Sequence, residues 1–222
     1  MKQLKRVKNL MHKYRHAWVF LYGFIYLPWF LYLEKHVTSQ YYLVHSTIDD
    51  YIPFVEYFIV PYLLWFLFVS GFVLYFFFTD VPAFYKLVTF LFTGMTLFLI
   101  VCTLFPNGLA LRPATFARDN IFVDMVKMLY ATDTSTNVLP SIHVYNTIGI
   151  CIAVSRSKKL QQHKIINTGT YLLAALIILS TMFLKQHSVV DVMTASIMAY
   201  ALYHVVYVTE PKFAPQLTKQ TS

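Results

Sequence analysis

The stretch FYKLVTFLFTGMTLFLIVCTL, residues 84–104, contains a single charged residue, Lys86. A mostly apolar run of about 17 to 25 residues is long enough to cross the hydrocarbon core of a bilayer as a helix. The whole chain of 222 residues has this character, with 58% hydrophobic and 13% charged residues. Such a composition excludes an ordinary water-soluble domain of this size and predicts an integral membrane protein.

Five further apolar runs are predicted at about 17–33, 57–78, 143–154, 169–184 and 189–208. The run at 143–154 is short and is extended to 137–155. The sequence thus predicts an all-α polytopic protein whose single membrane domain, residues 17–208, contains six transmembrane helices. A basic segment, 1–16, precedes this domain and a tail, 209–222, follows it. Apolar positions at helical period within 118–137 predict one more helix, lying at the membrane surface.

Lysine and arginine residues outside the spans predict the orientation, because positively charged loops stay in the cytoplasm. Most of the 18 such residues fall on the same side as the N-terminus, and most acidic residues fall on the other side. We therefore expect both termini to be cytoplasmic in a cell membrane, with a bacterial plasma membrane favoured by the short loops. The net charge of +8 is explained by this topology and by the attraction of cytoplasmic lysine and arginine to anionic lipid. It does not indicate nucleic-acid binding.

Three polar clusters share the predicted outer side of the membrane. They are NGLALRP (107–113), LPSIH (139–143) and KQHSVVD (185–191). Each has a plain structural interpretation. Ser188 and Asp191 fit a capping box, Pro140 suits the start of a helix, and Arg-Pro is a common loop dipeptide.

The combination of the three clusters favours chemistry on a phosphate group. An ionisable residue entering a transmembrane helix is costly, so Asp191 is a functional candidate. One helical turn separates it from His187, so the carboxylate can orient one ring nitrogen and leave the other as nucleophile or base. His143 adds a second imidazole suited to general acid catalysis, and Arg112 adds a guanidinium suited to bidentate contact with phosphate oxygens.

The order Arg-Pro, Pro-Ser-x-His and His-x-x-x-Asp resembles the type 2 phosphatidic acid phosphatase (PAP2) superfamily over about residues 49–208. The segment DDYIPF before the second span resembles the bacterial and inositol phosphorylceramide synthase-like branch. The resemblance implies that His187 forms a phosphohistidine, that Asp191 orients it, and that His143 protonates the leaving oxygen and then activates water or an alcohol. It also implies that Arg112 and Ser141 hold the phosphoryl oxygens.

Two positions depart from the family pattern. The phosphatases of the family carry a lysine where this chain has Phe105 and an arginine where it has Thr181. Lys185 is a candidate substitute for these cations, with an interfacial anchoring lysine as the alternative. The departures lower the expected affinity for a doubly charged phosphate monoester and make the sphingolipid synthase-like arrangement a closer analogue.

The sequence therefore predicts a metal-independent and cofactor-free lipid phosphatase, acting on a lipid-linked phosphate or diphosphate at the extracytoplasmic face. Its expected partners are this substrate and the membrane lipids. Transfer of a phospho-headgroup to an acceptor alcohol is one alternative. The other is a catalytically silent protein that keeps the fold.

Overall fold

The structure is a computed structural model that describes residues 11–37 and 40–209. The predictions for the basic residues before position 11 and for the tail after position 209 lie outside the described residues. The elements in chain order are α1 (Gly23–His36), β1 (Tyr42–Leu43), α2 (Thr47–Tyr51), α3 (Ile59–Thr79), α4 (Val81–Leu104), β2 (Asn107–Gly108), α5 (Ile121–Thr132), α6 (Ile142–Arg156), α7 (Lys158–Gln161), α8 (Lys164–Phe183) and α9 (Val189–Tyr203). Short 3₁₀ segments, Arg15–Tyr22 and Glu56–Phe58, lead into α1 and α3, and a π-helical turn, His204–Val208, extends α9.

Five helical segments of the described chain are long and apolar enough to cross a membrane. They are Arg15–His36, Glu56–Thr79, Val81–Leu104, Lys164–Phe183 and Val189–Val208. They correspond to five of the six predicted runs, with modest shifts at their ends. Helix α5 lies within the predicted range 118–137, and its place at the membrane surface stays a prediction.

The remaining predicted span is α6, which has 15 residues and is shorter than the roughly 20 residues that a spanning helix needs. It lies in the middle of the bundle and packs against α3, α4, α8 and α9. Because its neighbours cover it, buried polar residues such as Asn146 and Thr147 replace part of the apolar surface that a lipid-facing helix requires. The count of six spans therefore stays a prediction.

Helices α4 and α6 approach closely at a glycine. The Tyr145 ring stacks on Phe90 with centroids 4.7 Å apart, and its hydroxyl donates to the Phe90 carbonyl at 2.7 Å. A Cβ atom at Gly94 would lie 2.1 Å from this tyrosine ring. Only glycine admits the ring at this depth, because interior packing leaves no room for an added methyl group.

The loops at one end of the bundle are tied to each other. Strand β1 pairs in parallel with β2, with Tyr42 opposite Asn107. Asn107 is fully buried, and its Oδ1 accepts from the backbone N–H groups of Val138 and Leu139, both at 2.9 Å. Its Nδ2 donates to the Phe105 carbonyl at 2.8 Å. One amide thus fixes the loop that leads into α6.

Candidate active site

The first turn of α9 contains the capping box that Ser188 and Asp191 predict. The Asp191 Oδ2 atom accepts from the backbone N–H of Ser188 at 2.9 Å. The same oxygen lies 3.2 Å from Nδ1 of His187. Because a carboxylate only accepts, Nδ1 is the protonated nitrogen and Nε2 carries the free lone pair. The Asp191 Oδ2 atom therefore serves both the capping box and the orientation of the His187 ring.

The second imidazole, His143, lies in the first turn of α6. Its ring packs against Tyr62, with centroids 4.7 Å apart, and against Trp65, with centroids 4.2 Å apart. The indole Nε1 of Trp65 also donates to the His143 carbonyl at 3.2 Å. The ring centroid of His143 is 5.7 Å from that of His187. Residues from two distant clusters of the sequence thus meet at one place.

Both histidines line a cavity of about 410 Å³ between α1 and α3. Leu27 and Phe66, which also line it, are 56% and 69% exposed, so the cavity reaches the side of the bundle. Its wall is formed by Tyr26, Leu27, Phe30, Glu34, Trp65, Phe66, Phe98, Asp133, Thr134, Thr136, Asn137, Val138, Ile142, His143, Gln186 and His187.

Arg112 contacts protein atoms with both terminal nitrogens. Nη1 donates to the carbonyls of Tyr130 at 3.2 Å and Asp133 at 2.9 Å. Nη2 donates to the carbonyl of Thr134 at 2.8 Å and to Oε1 of Gln186 at 2.6 Å. Arg112 is absent from the cavity wall, and it fastens the loop after α5 to the third cluster. Its assignment to phosphate binding stays a prediction.

Ser141 and Lys185 likewise contact the protein and not the cavity. Ser141 is fully buried, and its backbone N–H donates to the Asp191 carbonyl at 3.3 Å. The Lys185 Nζ donates to the carbonyls of Asp49 at 2.7 Å and Ile52 at 2.5 Å. Burial lowers the pKa of Lys185, and the carboxylates of Asp49 and Asp50 oppose that shift. The substrate-binding roles of Ser141 and Lys185 also stay predictions.

A buried carboxylate that the sequence analysis did not single out holds the third cluster in place. Asp49 is 2% exposed. Its Oδ2 accepts from the Ser188 hydroxyl at 2.5 Å and from the Ser46 N–H at 2.8 Å, and its Oδ1 accepts from the Val189 N–H at 2.8 Å. The loop before the second span is thereby joined to the start of α9.

A repeated pattern in the sequence marks Asp49. HSTID (45–49) and HSVVD (187–191) share the spacing His-Ser-x-x-Asp, and both form capping boxes. The two histidines differ, because His45 is exposed and pairs with Asp50 at 2.9 Å. The pattern therefore predicts the helix starts, and it does not distinguish the histidine that lines the cavity.

Glu34, an acidic residue outside the predicted site, lines the cavity. Glu34, at the end of α1, accepts from Asn137 Nδ2 at 2.9 Å and from the Thr134 hydroxyl at 2.5 Å. No spacing or motif in the sequence marks Glu34, because its partners are about 100 residues away along the chain. Phe105 and Thr181, the positions of the absent family cations, are not part of the cavity wall.

Comparison with known proteins adds one match. A family model of the PAP2 superfamily matches residues 87–214, which is more than half of the chain and includes all three polar clusters. Searches among curated proteins and among solved structures found no match. The matched residues, together with the meeting of His143 and His187 in one cavity, show that this chain belongs to the PAP2 superfamily.

Proposed function

We propose that this protein is a multi-pass membrane enzyme that hydrolyses a lipid-linked phosphate or diphosphate through a phosphohistidine on His187. The observation that carries the proposal is the pair of imidazoles facing one cavity, with His187 held by Asp191. An imidazole whose Nδ1–H is bound to a carboxylate presents Nε2 as a nucleophile, which is the orientation logic of catalytic triads.

The two histidines take complementary parts in the proposed reaction. Nε2 of His187 attacks phosphorus, and the bond from phosphorus to the lipid oxygen breaks. His143 gives a proton to that leaving oxygen and then takes one from the water that hydrolyses the phosphohistidine. The centroid separation of 5.7 Å allows both rings to contact one phosphoryl group. The negative charge of Asp191 stabilises the positive charge that His187 gains in the first step.

The position of the cavity supports a lipid substrate. Its wall includes exposed apolar residues of α1 and α3, so a headgroup can reach the histidines while its acyl chains remain beside the bundle. We propose six spans with both termini cytoplasmic, which puts the cavity at the extracytoplasmic end. A cysteine introduced near Asp133 would then react with an impermeant thiol reagent on intact cells, and labelling only after lysis would refute this orientation.

Headgroup transfer to an acceptor alcohol is the second candidate function. Two separate observations favour it. The cavity wall has no lysine or arginine within the described residues, and the sequence has Phe105 and Thr181 where the phosphatases of the family carry phosphate-binding cations. The resemblance of DDYIPF (49–54) to the bacterial and inositol phosphorylceramide synthase-like branch points the same way. In this case an alcohol replaces water in the second step, and the chemistry at His187 is unchanged.

The test is product release from a panel of lipid monophosphates, diphosphates and phosphodiesters in detergent micelles with excess chelator. His45→Ala is a matched control for His187→Ala, because both histidines precede a Ser-x-x-Asp capping box and only His187 lines the cavity. We expect the wild type and His45→Ala to release product and His187→Ala to release none.

The same panel separates the candidates. Release without an added alcohol supports the phosphatase, and release or exchange only with an alcohol supports the transferase. A folded wild-type protein that cleaves no lipid of the panel, with or without an acceptor, would refute both and favour a silent member of the superfamily.

A further inference from the structure

Lys86 is the one charged residue of the apolar stretch 84–104, and it lies in the second turn of α4. An ionisable side chain inside a membrane-spanning segment is costly, so it is a functional candidate. The chemistry proposed at His187 does not use it. Lys86 instead lines a second cavity, of about 580 Å³, together with Arg156, Lys158 and Lys159. We call this second cavity the basic cavity.

The basic cavity lies at the end of the bundle opposite the two histidines. Helix α6 begins beside His143 and ends at Arg156, which lines the basic cavity. The helical rise of about 1.5 Å per residue puts about 20 Å between these two residues. Helix α9 runs the same way, because Asp191 lies in its first turn and Tyr207, in the π-helical extension, lines the basic cavity.

Four cationic side chains from three segments meet in the basic cavity. Lys86 belongs to α4, Arg156 ends α6, and Lys158 and Lys159 belong to α7. All four residues are exposed, so their charged ends can reach a ligand in the cavity. Like charges gathered in one concave site repel each other. Such a site concentrates the electric field and attracts anions.

Protein carboxylates leave these charges unneutralised within residues 11–37 and 40–209. The ion pairs formed there involve other cations, namely His45, Arg118, Lys127 and His187. One acid, Asp80, lines the described part of the wall, and its Oδ1 already accepts from the Ala83 N–H at 3.0 Å. The basic cavity therefore carries net positive charge that a bound anion can balance.

Arg156 is held in place by an aromatic ring. Its Cζ lies 5.3 Å from the centroid of the Tyr203 ring, and its Nη2 donates to the Tyr203 hydroxyl. A guanidinium has five N–H donors, so further donors remain for a ligand. Its planar fork suits bidentate contact with phosphate oxygens. A side chain that is already held loses less conformational freedom when a ligand binds.

We infer that the basic cavity binds a phosphomonoester group, with Lys86 and Arg156 contacting its oxygens and Lys158 and Lys159 adding positive charge. A phosphomonoester carries about −1.5 to −2 charges near neutral pH, which suits several unpaired cations better than the single charge of a carboxylate or a phosphodiester. The inference goes beyond the proposed function, because no residue lines both the basic cavity and the histidine cavity within the described chain.

Attraction of scattered surface cations to anionic lipid is the competing explanation, and it needs no defined site. Lys164 separates the two explanations. It lies at the start of α8, near α7 in the chain, and it is exposed and absent from the wall of the basic cavity. Scattered attraction depends on Lys164 as much as on Lys86, whereas a defined site depends only on Lys86.

The experiment measures ligand binding to the His187→Ala protein in detergent by native mass spectrometry, a background in which the proposed cleavage cannot remove the ligand. Phosphatidate and soluble glycerophosphate present the same phosphomonoester group, and phosphatidylcholine is the lipid without net charge. We expect Lys86→Gln and Arg156→Gln each to weaken phosphomonoester binding about tenfold. Lys86→Arg and Lys164→Gln should leave it unchanged. A ligand in the histidine cavity is indifferent to these variants, because none of the three residues lines it.

The two phosphomonoesters identify the source of the ligand. Tighter binding of phosphatidate identifies a lipid headgroup, and equal or tighter binding of glycerophosphate identifies a soluble compound; both support the inference when Lys86→Gln lowers the affinity. Binding of neither beyond the level of phosphatidylcholine would overturn it, as would equal losses in Lys86→Gln and Lys164→Gln. Lys86 is exposed, so its substitution should preserve the fold. His187-dependent cleavage without any effect of Lys86→Gln on binding would leave the proposed function standing and overturn only this inference.

Discussion

Replacing Asp49 tests whether the loop before the second span holds the third polar cluster in place. Asp49→Ala removes three hydrogen bonds from a carboxylate that is 2% exposed. It leaves the partly buried N–H of Val189 without its acceptor. Hydrogen bonds to a charged group contribute about 1.5–3 kcal/mol each and are not fully additive, so loss of the three costs about 3–5 kcal/mol. We therefore expect the Tm of the detergent-solubilised protein to fall by roughly 6–20 °C.

The adjacent acid is the matched control for this prediction. The Asp50 side chain is 60% exposed and pairs with an exposed histidine, and exposed ion pairs contribute below about 1 kcal/mol. Asp50→Ala should therefore shift the Tm by no more than roughly 4 °C.

Asp49→Asn keeps one acceptor oxygen, so its Tm should lie between those of the two alanine variants. This variant preserves the test if Asp49→Ala does not fold. Thermal unfolding followed by circular dichroism gives the three values. Equal Tm values for Asp49→Ala and Asp50→Ala would refute the reasoning.

Four further outcomes are expected. Asp191→Asn keeps an oxygen for the capping N–H and should leave the Tm nearly unchanged. We expect kcat to fall about 10²-fold or more, because the charge facing the imidazole is lost. Parallel losses of Tm and kcat would contradict this. Asn107→Ala leaves one buried N–H, of Val138, and one partly buried N–H, of Leu139, without their acceptor and should lower the free energy of unfolding in urea by about 2–4 kcal/mol. Gly94→Ala places a methyl group within 2.1 Å of a tyrosine ring and should reduce the folded yield, whereas Gly169→Ala meets nothing within 4 Å and should not. Burial raises the pKa of Asp133, with Arg112, His187 and Glu34 also acting on it, so the Tm should fall as the pH rises from the ordinary aspartate range through that raised pKa, and Asp133→Asn should flatten this part of the profile.

The spans could be predicted from the sequence because membrane-crossing helices leave a local signal. Residues 84–104 carry that signal almost without interruption, and the corresponding helix, α4, begins three residues earlier, at Val81. Helix α6 has a weaker signal because it is surrounded by other helices. Its polar residues Asn146 and Thr147 are buried against protein, so a hydropathy window cannot distinguish it from a short surface helix. Burial by other helices is a tertiary property, and it is not present in a local pattern.

The candidate site also has one part that a local sequence pattern predicts and another part that it does not. His187 and Asp191 are four residues apart, so one helical turn predicts their contact. Glu34, Asn137 and Gln186 come together only because α1, the loop after α5 and the start of α9 meet at one end of the bundle. Their residue types are common at helix ends and in loops, so the sequence gives no reason to select them. The unpaired amide atoms of Asn137 and Gln186, and the hydrogen bonds that Glu34 accepts, become visible only in the structure.

Arg112 and Lys185 show why residue type alone does not give a partner. Both were predicted to bind phosphate because they are cations near the motif histidines. In the structure Arg112 donates to three backbone carbonyls and Lys185 to two. Irregular loops packed at the end of a membrane bundle leave carbonyl groups that no helix or strand satisfies, and an unpaired buried carbonyl is costly. A side chain with several donors satisfies many such carbonyls at once. Arg112 and Lys185 therefore bind loop carbonyls, although the same cations would also suit a phosphate. The charged side chains that line the cavity are then Glu34 and Asp133.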